Sequence, residues 1–256
     1  GCLDGLVRPT CTATPRERTT AADRPPDDPV ERVLHAAGRA PSGGNSQPWS
    51  ITADDDTLAV AVAPDFVPTA IDIRYRGTYV ALGAALQNAR IAAAAHGVLG
   101  PVRFAEGASG RNGEPFATME FADGADPMLA AQYDRMLARG TNRQCCDGSP
   151  LTGADVEALH AAARHEGGRI RVIAGADKLR AIAGILGESD RMRYLTESLR
   201  RDMMGELRWS DSGGIESGID VDSLGLDEVE RTMLEVVLRD DVLDHLENWD
   251  LGHGLG

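Results

Sequence analysis

Residues 40–49 place rigid, flexible and polar side chains in an order that suits a small ligand; they read Ala-Pro-Ser-Gly-Gly-Asn-Ser-Gln-Pro-Trp. Pro41 and Pro48 fix φ at two points, whereas Gly43 and Gly44 permit backbone conformations closed to other residues. The hydroxyl and amide side chains of this segment are Ser42, Asn45, Ser46 and Gln47. Short polar groups in fixed places suit a flat heteroaromatic ligand with donors and acceptors at its edge. An elaborate helix-to-strand turn with Asx-type bonding accounts for the same residues.

A second candidate group lies in a loop that precedes a predicted helix, and it reads Arg-Gly-Thr-Asn-Arg over residues 139–143. Arg139 and Arg143 with the hydroxyl of Thr141 between them can form a compact anion site, because guanidinium groups bind phosphate and carboxylate oxygens in pairs. The alternative is a surface pair of arginines beside Asp134 and Asp147.

Periodicity and capping residues predict the elements that position the first segment. Asp28, Pro29 and Glu31 have the pattern of a helix N-terminus, and this helix is expected to end near Arg39, before Pro41. The other elements predicted in this part are a β-hairpin, a long helix rich in small residues and two strands, at residues 49–52 with 58–63, 74–96, 102–105 and 116–121.

The remainder of the chain is predicted to be mainly helical. Helices are expected over residues 128–137, after a cap at Thr152, from a cap at Asp177 toward residue 207 or 208, and over 227–248, with one strand at 169–174. Helices and strands are mixed without strict alternation, which favours an α+β fold over a doubly wound parallel sheet.

Composition excludes several classes of function. The net charge of −14 over 256 residues argues against nucleic-acid binding, which needs clustered Lys and Arg. No apolar run approaches the roughly 20 residues that span a bilayer, so no membrane segment is expected. Neither the six histidines nor the four cysteines have metal-ligand spacing. We expect free thiols and a cytoplasmic location, although adjacent Cys145 and Cys146 could form a redox pair.

The run from Pro41 to Trp49 resembles the flavin-contacting signature of the nitroreductase superfamily. Asp72, Arg76 and Asn88, with the run 83–86 between them, are similar to the helix that follows it in the fused-repeat, Acg-like subgroup, in which one chain contains two nitroreductase-like halves. The resemblance implies a three-layer α+β fold with an antiparallel-rich sheet and long central helices. It also implies FMN binding by motif residues, namely Pro41, Ser42, Gly43, Asn45 and Gln47.

By the same resemblance, Arg139 and Thr141 would bind the FMN phosphate, and Arg143 would lie near the N1–O2 edge of the flavin. The motif occurs only in the first half and the arginine run only in the second, which implies one composite FMN site per chain. The halves are expected at about 27–125 and 126–256, as a quasi-dimer within one chain or in a homodimer. Because the family continues with a further strand and helix, the second half is expected to be incomplete.

Residues 1–26 have the composition of a linker or tail, and the resemblance implies an adenylating, ubiquitin-activating-like domain upstream. Residues 206–209 and 218–226 are similar to the lid of such fused proteins, in which Trp209 would cover the flavin or belong to the core.

The implied reaction transfers hydride from NAD(P)H to flavin N5 and then electrons to a small oxidised acceptor, such as a nitroaromatic or a quinone. The flavin carries that chemistry, and no residue is identified as a general acid or base. The alternatives are a non-catalytic FMN-binding or regulatory module of a larger protein, and a degenerate fold that serves only as an interaction domain.

Overall fold

The computed structural model describes residues 26–105, 110–111, 113–143, 149–165, 167–209 and 217–250. The four cysteines, nearly all of the predicted linker and the C-terminal residues 251–256 lie outside the described residues. The chain divides into a larger unit, residues 18–142 with 197–231, and a smaller unit, residues 1–17, 143–196 and 232–256. This division does not coincide with halves at 27–125 and 126–256, and the internal repeat stays a prediction.

A four-stranded antiparallel sheet forms one layer of the larger unit, in the order β1-β2-β4-β3. Its strands are β1 Trp49–Ala53, β2 Thr57–Val62, β3 Leu99–Phe104 and β4 Ala117–Phe121. β1 and β2 form the predicted hairpin, with Trp49 opposite Val62. Its turn is held by Asp54, whose Oδ1 accepts from the backbone N–H groups of Asp56 at 3.0 Å and Thr57 at 2.7 Å. The four predicted strands of this part are confirmed.

Two helices pack against each other and against the sheet. They are α1 Pro29–Gly38 and α2 Arg76–Ala95. The predicted start of α1 is confirmed, because Asp28 Oδ1 accepts from the backbone N–H of Glu31 at 3.0 Å. α2 begins where Asp72 accepts from the N–H of Gly77 at 2.6 Å and from the hydroxyl of Thr78 at 2.6 Å.

The core of the larger unit lies between these helices and the sheet. Small side chains on α2 let α1 approach closely, and they are buried: Ala81, Ala85, Ala89, Ala92 and Ala93. From the strands, Leu58, Val60 and Met119 are fully buried. Three polar residues are buried among the described residues of this unit, Thr78, Asn88 and Arg200, and Asn88 Nδ2 donates to the carbonyl of Ala36 at 3.0 Å. One sheet with helices packed on it is an α+β arrangement, as predicted.

Shorter elements complete the larger unit. One helix was expected over residues 128–137, but two occur, because the backbone turns at residues 131–132: α3 Pro127–Ala130 and α4 Tyr133–Leu137. They are followed, after residues of the smaller unit, by α7 Glu197–Glu206, β5 Leu207–Arg208 and β6 Ile219–Asp220. β5 and β6 pair in parallel, with Leu207 opposite Ile219 and Arg208 opposite Asp220.

The smaller unit is helical where it is described. Its helices are α5 Gly153–His165, α6 Ala176–Leu195 and α9 Asp240–Asp250, and α8 Glu228–Val237 crosses the boundary between the units. The predicted cap of α5 is confirmed, since Asp155 N donates to Thr152 Oγ1 at 3.2 Å. The helices of the described residues include none that is long and apolar enough to cross a membrane.

Three predictions for this part of the chain are wrong. Residues 169–174 form no strand, because no strand pairs with them among the described residues and a lone strand leaves its backbone groups unpaired. The helix expected from Asp177 starts after Gly175 and stops at Leu195, because Thr196 has extended backbone dihedrals (φ −87°, ψ 113°). The helix expected over 227–248 is interrupted after Val237.

Two apolar positions on α2 provide a test of this packing. Leu82 is fully buried, whereas Val80 is 74% exposed. Leu82→Ala should lower the free energy of unfolding by about 2–5 kcal/mol, because it leaves a cavity in the core. Val80→Ala should change it by no more than about 0.5 kcal/mol. Urea unfolding followed by circular dichroism measures both, and an equal loss in the two variants would contradict the placement of α2.

Candidate functional site

Residues 40–49, called the motif below, connect α1 to β1. Within the motif, Ser42 is extended and Gly43–Asn45 form one turn of 3-10 helix. The N–H of Asn45 donates to the carbonyl of Ser42 at 3.1 Å, and the N–H of Gln47 donates to Ser42 Oγ at 3.0 Å. The hydroxyl of Ser42 therefore organises the turn, in the manner of the helix-to-strand alternative considered from sequence.

Three motif residues lie in the left-handed region of backbone space. Gly44 has φ 58°, Asn45 has φ 53° and Gln47 has φ 48°. Glycine adopts this conformation without a steric penalty and asparagine tolerates it, whereas for glutamine it is unfavourable. Strained backbone of this kind persists only where surrounding contacts hold it, and it concentrates at ligand-binding sites. The motif thus has a specific backbone conformation, which a simple connection between α1 and β1 would not require.

The motif packs against a short ribbon formed by Glu206–Arg208 and Ser217–Asp220, called the ribbon below. Asn45 Nδ2 donates to the carbonyl of Gly218 at 3.0 Å, and the N–H of Gly218 donates back to the carbonyl of Asn45 at 3.1 Å. At Gly44, a Cβ would lie 2.7 Å from Cδ of Glu206. The ribbon includes residues of the predicted lid, and it contacts the motif directly.

A cleft of about 390 Å³ lies where the motif and the ribbon meet. Motif atoms of Gly44 and Ser46 line it, together with apolar and charged side chains: Phe66, Val67, Leu207, Arg201, Asp202, Glu206 and Arg208. This volume lies within the usual range for small-molecule sites, about 300–1,000 Å³. Sequence analysis missed the contributions of Phe66, Val67 and Asp202, since they lie far from the motif along the chain and carry no pattern.

The charged groups of the cleft have partners within the protein. Asp202 Oδ2 accepts from the N–H of Ala70 at 2.7 Å, and Arg208 lies 3.7 Å from the carboxylate of Asp220. Arg201 pairs with Glu197 on the preceding turn of α7. Arg201, Asp202 and Arg208 therefore each interact with another group of the protein.

Arg139 is exposed and reaches back to the end of α1. Its Nη2 donates to the carbonyl of Arg39 at 2.9 Å, and its Nη1 lies 3.5 Å from Thr141 Oγ1. In return, Arg39 Nη2 donates to the carbonyl of Leu137 at 3.1 Å. Arg39 directly precedes the motif and lies three residues before Ser42, a length of chain that spans at most about 11 Å, so this contact holds the Arg139 guanidinium near the start of the motif.

Arg143 and Trp209 have different settings. Arg143 is partly buried and begins the second segment of the smaller unit. Trp209 follows β5 and is partly buried, and the guanidinium carbon of Arg231 lies 5.7 Å from the centre of its ring. Whether Trp209 covers a ligand stays a prediction.

Two buried polar atoms lie elsewhere in the larger unit. His96 Nε2 and Tyr133 Oη are buried without a hydrogen-bond partner, and their rings meet edge-on with centroids 4.9 Å apart. Burial, followed by the charge of Arg32, lowers the pKa of His96, and burial raises the pKa of Tyr133. The described residues contain no cluster of three or more His, Cys, Asp or Glu that could hold a metal ion.

The two adjacent glycines of the motif provide a matched pair of variants. Gly44→Ala should lower the free energy of unfolding by about 1–2 kcal/mol, because alanine is strained at positive φ. Its methyl group would also displace Glu206. Gly43→Ala should have a much smaller effect, since a Cβ there meets nothing within 4 Å. Chemical unfolding of both proteins decides the point, and equal stabilities would show that the motif does not hold this conformation.

Comparison with known proteins connects the motif to one family. Residues 17–67 match the model of the nitroreductase family. Over 230 residues the chain is 45% identical to an uncharacterised protein of Mycobacterium tuberculosis (strain CDC 1551 / Oshkosh), a match covering 90% of this chain and 32% of the relative.

Two further relatives come from Mycobacterium tuberculosis (strain ATCC 25618 / H37Rv), and both are provisionally named NAD(P)H nitroreductases. One is 29% identical over 181 residues, covering 68% of this chain and 51% of the relative. The other, Acg, is 40% identical over 70 residues, covering 27% of this chain and 21% of the relative. The chain thus spans about half or less of the length of each relative. It contains a segment that matches the nitroreductase family, and that segment includes the whole motif.

Proposed function

We propose that this chain binds FMN at the motif and acts as an FMN-dependent oxidoreductase of the nitroreductase type. The observation that carries the proposal is the position of the motif. Gly44 and Ser46 of the motif line a cleft of about 390 Å³, and the whole motif lies within the segment that matches the nitroreductase family. The relatives named as NAD(P)H nitroreductases support the same type of activity.

The donor set fits such a group. The motif would supply the side of the site that faces the flavin ring, through Pro41, Ser42, Gly43, Asn45 and Gln47. Arg139 and Thr141 would bind the phosphate, because a guanidinium beside a hydroxyl provides charge-assisted hydrogen bonds to phosphate oxygens. The contact of Arg139 with the carbonyl of Arg39 supports this assignment, since it anchors the cation close to the motif. By the resemblance, Arg143 would lie near the N1–O2 edge of the flavin.

When bound, FMN would supply the redox chemistry, accepting hydride from NAD(P)H and passing electrons to a small oxidised acceptor. The residues of this chain would bind and orient the ring and keep one of its faces out of water. The apolar wall of the cleft, formed by Phe66, Val67 and Leu207, suits a flat aromatic body. No residue is assigned a proton-transfer role.

The second candidate is a non-catalytic FMN-binding or regulatory module of a larger protein. It is favoured by the direct bonding between Asn45 and Gly218, which places the ribbon against the motif and limits access from that side. For either function we also propose an upstream adenylating domain in the parent chain, a quasi-dimer within one chain or a homodimer, and a cytoplasmic location. Flavin that stays bound but is not reduced by NAD(P)H would select this second function, whereas steady turnover with a quinone would select the first.

Arg139→Ala tests the phosphate side of the site. Purified proteins are mixed with FMN and desalted, and the retained flavin is read from visible absorbance and converted to a dissociation constant. Affinity should fall about 10- to 150-fold, the effect of losing hydrogen bonds to a charged group. Arg103→Ala is the matched control, because Arg103 is an exposed arginine on β3 paired with Glu120 at 2.9 Å.

The unfolding midpoint of each ligand-free variant separates binding from stability, since Arg139 also bonds to Arg39 within the protein. If the wild-type chain retains flavin and Arg139→Ala retains it equally well, the phosphate is bound elsewhere. If the wild-type chain retains none at saturating FMN, the proposed function is wrong for this chain.

A further inference from the structure

We propose that Asn45 is a positioning residue: it clasps the ribbon to the motif and thereby sets the width of the cleft. The clasp is the pair of hydrogen bonds between Asn45 and Gly218. Its effect on a ligand rests on the proposed FMN site, whereas the clasp itself does not. In this assignment the Nδ2 group of Asn45 acts through the protein, in addition to the contact with the flavin proposed above.

The bonds of the clasp are reciprocal and join residues 173 positions apart. Asn45 donates through Nδ2 at 3.0 Å and accepts through its backbone carbonyl at 3.1 Å, and Gly218 supplies the opposite group in each case. Two bonds between the same two residues fix both separation and orientation, which one bond does not. A flexible contact between distant loops would not need that precision.

Two glycines lie in close contact with Glu206, one from the motif and one from the other segment of the ribbon. A Cβ at Gly44 would lie 2.7 Å from Cδ of Glu206, and a Cβ at Gly218 would lie 3.0 Å from the carbonyl oxygen of the same glutamate. Both glycines have positive φ, 58° and 94°. Glu206 therefore lies beside both glycines, with its side chain next to Gly44 and its backbone carbonyl next to Gly218.

The ribbon is also a wall of the cleft. Glu206, Leu207, Arg208 and Gly218 line the space beside Gly44 and Ser46. Because β5 and β6 pair with each other, a shift at Gly218 would move Leu207 and Arg208 with it. The clasp at Asn45 thus controls the distance between Leu207 on the ribbon and the motif, which is the dimension a flat ring would occupy.

The residue type at position 45 suits this role. Its backbone has φ 53°, a conformation that asparagine, aspartate and glycine tolerate better than other residues. Among these, asparagine alone also carries an amide donor for the carbonyl of Gly218. Asn45→Asp and Asn45→Gly therefore remove the donor and keep a tolerated backbone, so the two variants isolate the hydrogen bond from the turn.

Hydrogen exchange of the ligand-free proteins, measured by mass spectrometry, tests the clasp directly. In Asn45→Asp and Asn45→Gly, peptides covering residues 217–224 should exchange about 2- to 10-fold faster than in the wild type, the effect of one net hydrogen bond. Asn248→Asp is the matched control. Asn248 makes the same kind of side-chain bond, to the carbonyl of Asp244 at 2.7 Å, and should leave exchange over 217–224 unchanged.

The consequence for the ligand is read in the same proteins by FMN titration and by the shape of the bound flavin absorbance band. Both clasp variants should bind FMN about 2- to 10-fold more weakly and shift the band toward that of free flavin. Faster exchange with unchanged affinity and band would show that the ribbon does not shape the site, and would overturn the positioning role.

Two other results would also overturn the inference. Unchanged ligand-free exchange with weaker FMN binding would mean that Asn45 affects the ligand only by direct contact and not through the ribbon. Unchanged exchange in both variants would show that no clasp holds the ribbon, whether or not the chain binds flavin. If the wild type binds no FMN, the proposed function fails and so does the role in ligand binding, while faster exchange in the variants would still support the clasp.

Discussion

The candidate site depends on the fixed position of the C-terminal end of α1. Asn88 is buried in the middle of α2 and donates to the carbonyl of Ala36, in the last turn of α1. A buried amide without a partner is costly, so this bond holds the two helices in one register. Arg139 then bonds to the carbonyl of Arg39, and the motif begins at the next residue. The packing of α1 against α2, the contact of Arg139 and the start of the motif thus all depend on the position of the C-terminal end of α1.

The motif itself satisfies two requirements that sequence analysis treated as alternatives. The bond from Gln47 N to Ser42 Oγ is that of a local turn. The positive φ of Gln47 and the cleft beside Gly44 and Ser46 are typical of a binding segment. A turn that is over-determined by its own side chains can hold strained positions rigid, so the structural role supports the binding role.

The parts of the fold that could be predicted from sequence are those with strong local signals. Asp28 and Thr152 act as helix caps, and the hairpin of β1 and β2 follows alternation around an acidic turn. Small residues indicated that α2 would be closely packed, and it is. The predictions that were wrong did not misread a local sequence pattern; they lacked information on tertiary contacts. Residues 169–174 have strand composition, but a strand also requires a pairing partner, which composition does not supply.

The same limit applies to the site. The motif and Arg139 were found from sequence because each is a short run of suggestive residues. The contact between Asn45 and Gly218, and the cleft wall at Phe66 and Asp202, join positions far apart in the chain and leave no local signature. Breaks in helices were also missed, because Thr196 is an ordinary helix residue by propensity and its extended backbone is set by tertiary context.

The central proposal is that the motif contacts the flavin ring of a bound FMN. A crystal structure of the chain grown with saturating FMN tests it most directly. We expect one flavin per chain, with its ring against the motif and its phosphate on the side of Arg139. Flavin bound away from the motif, or no flavin although the motif is ordered and open to solvent, would contradict it.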